Sequence, residues 1–486
     1  MNLPPLLAFG WQELTGWIAL LNFLLIAFTL FSILAIKKES TSAVAWCMTV
    51  IFLPVLGIVS YWLFGYQSVQ RPLRRKRKHA AAYRKRAVAR GAQTGLASPA
   101  VDIAWDDLTL LSTRLGASPL IGGNRVELYH EGESAFEAML EAIRSAKQQI
   151  HIEFFIFRTD DSGRKFIDAM AERARAGVKV RFLYDAVGSW GLRRKLLRVL
   201  TEAGGQAVPF LTLLNPLHRR IQINLRNHRK VLVIDGRTAF TGGLNIGDEY
   251  LGKNPFFGPW RDTFLCLEGP GARELQNIFI EDWNFATEEE LSGADCYPAV
   301  APLGDVAVQI AASGPDQEIK TIREIYFAAI TKATRRIWIA SPYFVPDASL
   351  LDALCLAARS GRDVRLLCPF RPDKWLPFLA ARYYWRDALA AGVKIYQYTS
   401  GFMHAKVLIV DDIWASIGSP NFDNRSLHLN FEMTCLIESK AVVAELERAF
   451  LCDLAVSIHV DPEQFEQRGL VSRFAENACR LMSPVL

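Results

Sequence analysis

The chain opens on two long runs without charge. Residues 16–36 and 41–65 contain no Asp, Glu, Lys or Arg. As a helix, each is long enough to cross a hydrocarbon core of ~30 Å at ~1.5 Å per residue. Only Lys37, Lys38 and Glu39 carry charge between them, so the pattern predicts a transmembrane helical hairpin over 1–68. A shallow re-entrant hairpin is the alternative. Trp17, Trp46, Tyr61 and Trp62 fall near the predicted ends, where amphipathic rings favour the interface. A cleaved signal peptide fits poorly, because no basic segment precedes the first run and a second apolar run follows at once.

Beyond residue 118 the pattern changes and then repeats. AFEAMLEAIRSAKQQIHIEFFIF at 135–157 and IREIYFAAITKATRRIWIASPYF at 322–344 each read as an amphipathic helix entering an apolar strand. A second helix and strand follow at 171–185 and again at 355–369, and a third strand follows Gly204-Gly205 and Gly392. Helices alternating with apolar strands predict an α/β fold. The recurrence is too long for a solenoid repeat. It predicts two duplicated α/β sandwich domains, 119–300 and 301–486, sharing one active site, with 69–118 as a basic segment and linker.

Composition agrees with a membrane-anchored chain. Hydrophobic residues make up 51% of the 486, and the net charge is +6. The basic excess is local: ten Lys and Arg residues lie between Arg71 and Arg90. By the positive-inside rule this run places the bulk of the chain, and the N-terminus with it, in the cytoplasm. The same run suits anionic headgroups, at roughly 1 kcal/mol per residue near the surface; a pure topology signal is the simpler reading. The eight cysteines form no C-x-x-C pair, which suits buried thiols in a reducing compartment.

Candidate chemistry lies in a motif that occurs twice. His228, Lys230, Asp235, Gly243 and Asn245 recur, offset by 176 residues, as His404, Lys406, Asp411, Ser419 and Asn421. The lysines open the strand sequences KVLVI and KVLIV. Residues i and i+2 of a strand share a face, so each histidine and its lysine point the same way. Asp235-Gly236 and Asp411-Asp412 read as two-residue turns. Such turns pair Ile234 with Arg237, His228 with Gly243 and His404 with Ser419, and bring Asn245 and Asn421 back beside the histidines.

The same count puts Asp235 and Asp411 ~23 Å along the strand from the histidines. They read as turn or packing residues, so other acids must orient the imidazoles. Asp262 and Glu432, each opening another apolar run, are the candidates; strand-edge charges are the plainer alternative. Two lysines and short polar groups can neutralise a phosphodiester. One imidazole can attack phosphorus while the other moves protons. The lysines beside the histidines oppose a metal cation, so no metal or other cofactor is expected. His79, His130, His151, His218, His428 and His459 have no counterpart in the other repeat. Gly247–Lys253 resembles the start of a phosphate-binding loop, but Asn254 stands where Ser or Thr is required.

The doubled H-x-K-x4-D and G-[GS]-x-N signature resembles the phospholipase D superfamily over about 119–486. The two-run anchor, IHIEFFIF and GSPNFDNRSLHLNFE resemble its bacterial cardiolipin synthases. The resemblance implies transfer of a phosphatidyl group between two phosphatidylglycerols, with glycerol released and no metal or nucleotide used. It implies a phosphohistidine at His228 and an acid/base at His404. Lys230, Lys406, Asn245 and Asn421 match phosphate-binding positions, with Gly243 and Ser419 beside them, and the motif counts Asp235 and Asp411 among its catalytic residues. The implied partners are phosphatidylglycerol, other anionic phospholipids and the membrane, not nucleic acid. The implied location is the bacterial inner membrane, multi-pass, with the catalytic part cytoplasmic. Hydrolysis of phospholipids is the nearest rival; a nuclease fits the anchor badly, and a dead scaffold fits the two complete motifs badly. The aromatic and basic stretch from Trp375 to Trp385 is expected either at the membrane surface or in buried helix packing.

Overall fold

The computed structural model describes residues 11–36, 40–62, 105–211, 225–292 and 296–486. The basic run from Arg71 to Arg90, His79 and His218 lie outside the described residues, as does the linker up to 104.

The first apolar run is one helix, α1 (Trp11–Ile36). Its stretch Thr15–Ala35, 21 residues of mean hydropathy 2.5, is long enough and apolar enough to cross a membrane. The second run differs from the expectation. It is broken into α2 (Ser40–Phe52) and α3 (Pro54–Ser60). Pro54 lacks an N–H and its ring clashes with the preceding turn, which disfavours a continuous helix by ~3 kcal/mol. After the break the chain folds back on α2. A Cβ on Gly57 would lie 2.5 Å from the Thr49 carbonyl oxygen, so only glycine permits this approach. The Trp46 and Tyr61 rings meet edge-on at 5.5 Å. Trp62 Nε1 donates to Thr29 Oγ1 at 3.3 Å on α1. At 13 residues, α2 extends only ~20 Å, short of a full crossing.

The rest of the described chain builds one large sheet from two matching halves, with two short strands, Phe344–Val345 and Phe422–Asp423, pairing parallel as a separate two-stranded sheet. The first half contains β1 (Ile121–Glu131), β2 (Gln149–Phe154), β3 (Lys179–Asp185), β4 (Gln206–Phe210), β5 (Lys230–Ile234), β6 (Thr238–Gly242) and β7 (Trp260–Glu268). The second contains β8 (Val306–Ser313), β9 (Arg336–Ala340), β10 (Phe344–Val345), β11 (Asp363–Pro369), β12 (Lys394–Tyr398) and β13 (Phe402–Met403). It continues with β14 (Val407–Val410), β15 (Trp414–Gly418), β16 (Phe422–Asp423), β17 (Glu432–Glu438) and β18 (Ser457–His459). The strand orders are β4-β3-β2-β5-β6-β7-β1 and β12-β11-β9-β14-β15-β17-β8, with β18 added outside β12. These orders correspond strand for strand, as a duplication requires. β1 and β8 join antiparallel, pairing Ile121 with Val308 and Asn124 with Val306, so the halves form one continuous sheet.

Helices cover both faces. On one face, Ala272–Thr287 and Lys440–Ala455 bury Leu275, Ile278, Val443 and Leu446 against strands of both halves in a single core. On the other, the two halves keep separate cores. The expected α/β fold with duplicated halves is therefore present, and its shared core fixes one half against the other.

The motif hairpins differ in register from the expectation. Ile234 pairs with Thr238, not Arg237, and Val410 pairs with Trp414. Each turn holds three residues. Asp235 and Asp411 adopt left-handed backbones, with φ of 51° and 53°, a region that aspartate tolerates better than most residues. Hydrogen bonds to the neighbouring strand hold them there. The Asp235 carboxylate accepts the N–H groups of Lys147 (2.9 Å), Gln148 (2.8 Å) and Gln149 (2.8 Å). Asp411 accepts those of Thr334, Arg335 and Arg336. Both motif aspartates thus tie a hairpin to the start of the next strand, β2 or β9.

Candidate active site

Backbone pairing across the two halves places both histidines. His228 donates its N–H to the Phe431 carbonyl at 2.9 Å, and Phe431 donates back to Arg226. In the mirrored position, His404 donates to the Arg261 carbonyl at 2.7 Å, and β13 pairs parallel with the start of β7. Each histidine-bearing segment therefore docks on the strand of the opposite half that carries an acid.

The side chains cross over accordingly. His228 Nδ1 lies 3.0 Å from Glu432 Oε2, and His404 Nδ1 lies 2.6 Å from Asp262 Oδ2. A carboxylate only accepts, so each Nδ1 carries the proton and each Nε2 keeps its lone pair. Asp262 and Glu432 are fully buried, and the histidines are 8% and 9% exposed. Lys230 Nζ donates to the His228 carbonyl at 2.7 Å, and Lys406 Nζ donates to the His404 carbonyl. That leaves hydrogens on each ammonium for a ligand.

Burial sets the electrostatics of the site. It pushes His228 down to about 4, with Lys230 and Lys406 adding to the effect and Glu432 opposing it. Burial, reinforced by Lys406, takes His404 to about 3. Both imidazoles are therefore neutral near pH 7. Burial also lowers Lys230 to about 7 and Lys406 to about 8. It works against ionised Asp262 and Glu432 as well. There the adjoining lysine and histidine win, holding both acids below their ordinary values. An arriving anion would meet two lysines in a dry site, where such contacts are strongest.

The remaining sequence candidates divide. Ser419 lies in the site, its Oγ donating to Glu432 Oε2 at 2.5 Å. Asn421 is buried, and its Oδ1 has no hydrogen-bond partner among the described residues. Asn245 is buried with its Nδ2 on the Tyr250 hydroxyl at 3.2 Å. Gly243 has a steric cause: a Cβ there would fall 1.9 Å from Asp262 Oδ1. The shorter acid fills the space that the Ser419 hydroxyl occupies in the second half. Asp235 and Asp411 are at the hairpin turns, at the far ends of β5 and β14 from the histidines.

Sequence reasoning missed three kinds of neighbour. Trp260 and Asn430 stand two residues before Asp262 and Glu432. Trp260 packs on His404 at 5.1 Å, and Asn430 donates to Glu432 Oε1 at 3.2 Å. The i, i+2 rule held that signal. Phe155 meets His228 edge-on at 4.8 Å. Arg229 sits between His228 and Lys230, where the second motif has Ala405. Its guanidinium is buried on Asp282 and reaches the Glu432 carbonyl at 3.2 Å and the Ser313 carbonyl at 3.3 Å.

The family described as Cardiolipin synthase, PLD-like domain matches residues 139–283 and 326–454. Residues 20–65 match the Phospholipase_D-nuclease N-terminal family. A cardiolipin synthase of Geobacillus kaustophilus is 42% identical over 455 residues, covering 93% of this chain and 90% of its own length. The major cardiolipin synthase ClsA of Bacillus subtilis is 39% identical over 466 residues, covering 93% and 95%. In fold, the chain resembles a phosphatidylserine synthase of Haemophilus influenzae, with a TM-score of 0.55 at 16% identity, over 78% of this chain and 100% of that one. With these matches spanning nearly its whole length, the chain belongs to the cardiolipin synthase family of phospholipase D-like phosphatidyltransferases.

Proposed function

We propose that the protein joins two phosphatidylglycerols into cardiolipin through a phosphohistidine on His228. The crossed pairs carry this reading: each imidazole is neutral, has its tautomer set by a buried acid, and stands beside a lysine. His228 Nε2 attacks phosphorus, and the bond from phosphorus to the glycerol headgroup breaks. His404, which takes up a proton as the anionic diester offsets the lysine charges, gives that proton to the leaving glycerol oxygen. A second phosphatidylglycerol then loses a hydroxyl proton to His404. Its oxygen attacks phosphorus, and the bond to His228 breaks. Lys230, Lys406, Asn245 and Asn421 hold the non-bridging oxygens. The buried, unpartnered Asn421 Oδ1 suits a headgroup hydroxyl.

The apolar helix α1 supports membrane attachment. The basic run 71–90 supports a cytoplasmic position for the two catalytic halves. The fold-back of α3 supports a reading with one full crossing rather than two; in that reading Lys37 and Lys38 share a side with the basic run. The test of function is purified protein given phosphatidylglycerol alone, with chelator and without CDP-diacylglycerol. Cardiolipin plus glycerol is expected. Phosphatidic acid alone would mean hydrolysis, and no turnover would end the proposal.

A further inference from the structure

The last long helix, Leu470–Arg480, is turned inside out. Helices on water-facing domains bury their apolar stripe. Here the residue packed inward is Glu476, only 2% exposed. It binds Arg382 at 2.8 Å and Arg468 at 3.1 Å. The apolar residues point away from the protein. Leu470 and Val471 are each 84% exposed, Phe474 is 75% and Leu481, just past the helix end, is 72%. At these spacings they fall on one side of the helix.

The helix Trp375–Ala390 packs beside it, with Arg382 on Glu476. Arg480 donates to the Tyr383 hydroxyl at 3.0 Å, locking the two helices together. Trp385 and Ala380 are buried beneath, while Trp375 and Leu376 are exposed. Part of the stretch Trp375–Trp385 is thus buried helix packing, and part of it is exposed. Arg371, Lys374 and Arg480 are exposed around the patch. The patch also leads to the site: Asp373, just before Trp375, accepts from Tyr343 at 2.6 Å and acts electrostatically on Lys406.

We propose that Leu470, Val471, Phe474, Leu481, Trp375 and Leu376 form a docking face that inserts into the headgroup boundary of an anionic bilayer beside the mouth of the active site. The basic rim complements anionic lipid. The same chain carries a helix long and apolar enough to cross a membrane, which would tether these halves to a bilayer. Lipid could then pass to the site without entering water. This inference rests on the reading that the substrate is a bilayer phospholipid.

Two measurements on the full chain in phosphatidylglycerol-containing vesicles test it. First, a polarity-sensitive fluorophore is placed at Phe474→Cys, with Cys47, Cys452 and Cys479, the cysteines that are not buried, replaced by alanine. A blue-shifted signal quenched from the acyl chains is expected. Quenching only by aqueous iodide overturns the proposal, as does protection from both quenchers together with a dimer in detergent, which would mean a second copy covers the face. Second, a variant with Leu470, Val471, Phe474 and Leu481 all changed to Ser folds normally, because all four are exposed. It loses at least tenfold in turnover of vesicle phosphatidylglycerol and keeps wild-type turnover of a monomeric short-chain analogue. Equal loss on both substrates, or on neither, overturns the docking role. If wild-type protein turns over neither substrate, the reaction assigned above fails, while the quenching result still decides the docking face.

Discussion

Replacing Glu432 by Gln isolates the orienting charge from the fold. Glu432 Oε2 accepts from His228 Nδ1 at 3.0 Å and from Ser419 Oγ at 2.5 Å, and Oε1 accepts from Asn430 Nδ2 at 3.2 Å. A glutamine amide can keep its oxygen toward His228 and Ser419. Its NH2 then faces Asn430, which can flip, because Asn430 Oδ1 has no partner among the described residues. The tautomer of His228 survives, and only the negative charge is lost. As Nε2 bonds to phosphorus, the imidazole becomes cationic beside that missing charge. Two unit charges ~4 Å apart interact by ~4 kcal/mol at an effective dielectric of ~20, which is about 10³-fold in rate. Turnover of phosphatidylglycerol should fall by about 10²–10³. KM should barely move, because Glu432 does not face the phosphate, and the melting temperature should stay close to wild type. In single-turnover experiments the formation of the covalent adduct should slow by the same factor. A kcat within threefold of wild type, or a loss carried entirely by KM, would refute the role given to Glu432.

Three further outcomes follow from the same geometry. Gly243→Ser should abolish activity and lower stability in a melting assay, since its Cβ would sit 1.9 Å from Asp262 Oδ1. Ser419→Gly removes a hydroxyl that donates to the Glu432 carboxylate and accepts the Met433 N–H at 3.0 Å; the bond to the carboxylate contributes about 1.5–3 kcal/mol, and the variant should keep measurable turnover. Lys230→Met should be inactive yet raise the melting temperature at pH 7: folded Lys230 titrates at about 7 against an ordinary 10.5, so the unfolded wild-type chain binds more protons across that window. Wild-type stability therefore rises with pH through it, and the advantage of the methionine should shrink towards pH 10; a lower melting temperature for the variant at pH 7 would contradict this. A single cysteine near the N-terminus and one in the catalytic halves should react with an impermeant thiol reagent from opposite sides of the membrane, whereas labelling from the same side would mean two full crossings.

What was legible in the sequence followed local periodicity. KVLVI and KVLIV read as strands because they are β-branched and apolar, and they are strands β5 and β14. The duplicated order was visible because each half repeats its elements in sequence. What escaped was non-local. The one-residue error in register arose because Asp235 is held in a left-handed turn by N–H groups of Lys147–Gln149, far off in sequence. No spacing rule reveals that partner. Asp262 and Glu432 were visible as acids opening strands, but that each serves the histidine of the opposite half depends on how the halves dock. The second apolar run held a readable signal in Pro54. Its reversal also needed Gly57 against Thr49, a contact that hydropathy does not report.

The crossing explains why the duplication stays in one chain. Neither half holds a working histidine alone: His228 takes its acid and a backbone acceptor from the second half, and His404 takes both from the first. Separating the halves by a few ångströms would break both pairs at once and leave four buried ionisable groups unpaired, the costliest defect an interior can carry. Such an interface must be rigid, and the core shared by Leu275, Ile278, Val443 and Leu446 makes it so. Symmetry would also make the two histidines interchangeable, with only the bound substrate to tell them apart. The departures from symmetry fall where they can separate them. Glu432 is longer than Asp262, Ser419 replaces Gly243 and bonds to Glu432, and Arg229 replaces Ala405 and grips the Glu432 carbonyl. All three act on the pair that contains His228. That acid's carboxylate is the more heavily fastened of the two, as suits the role proposed for His228, an imidazole that would hold a full positive charge throughout the life of a covalent intermediate.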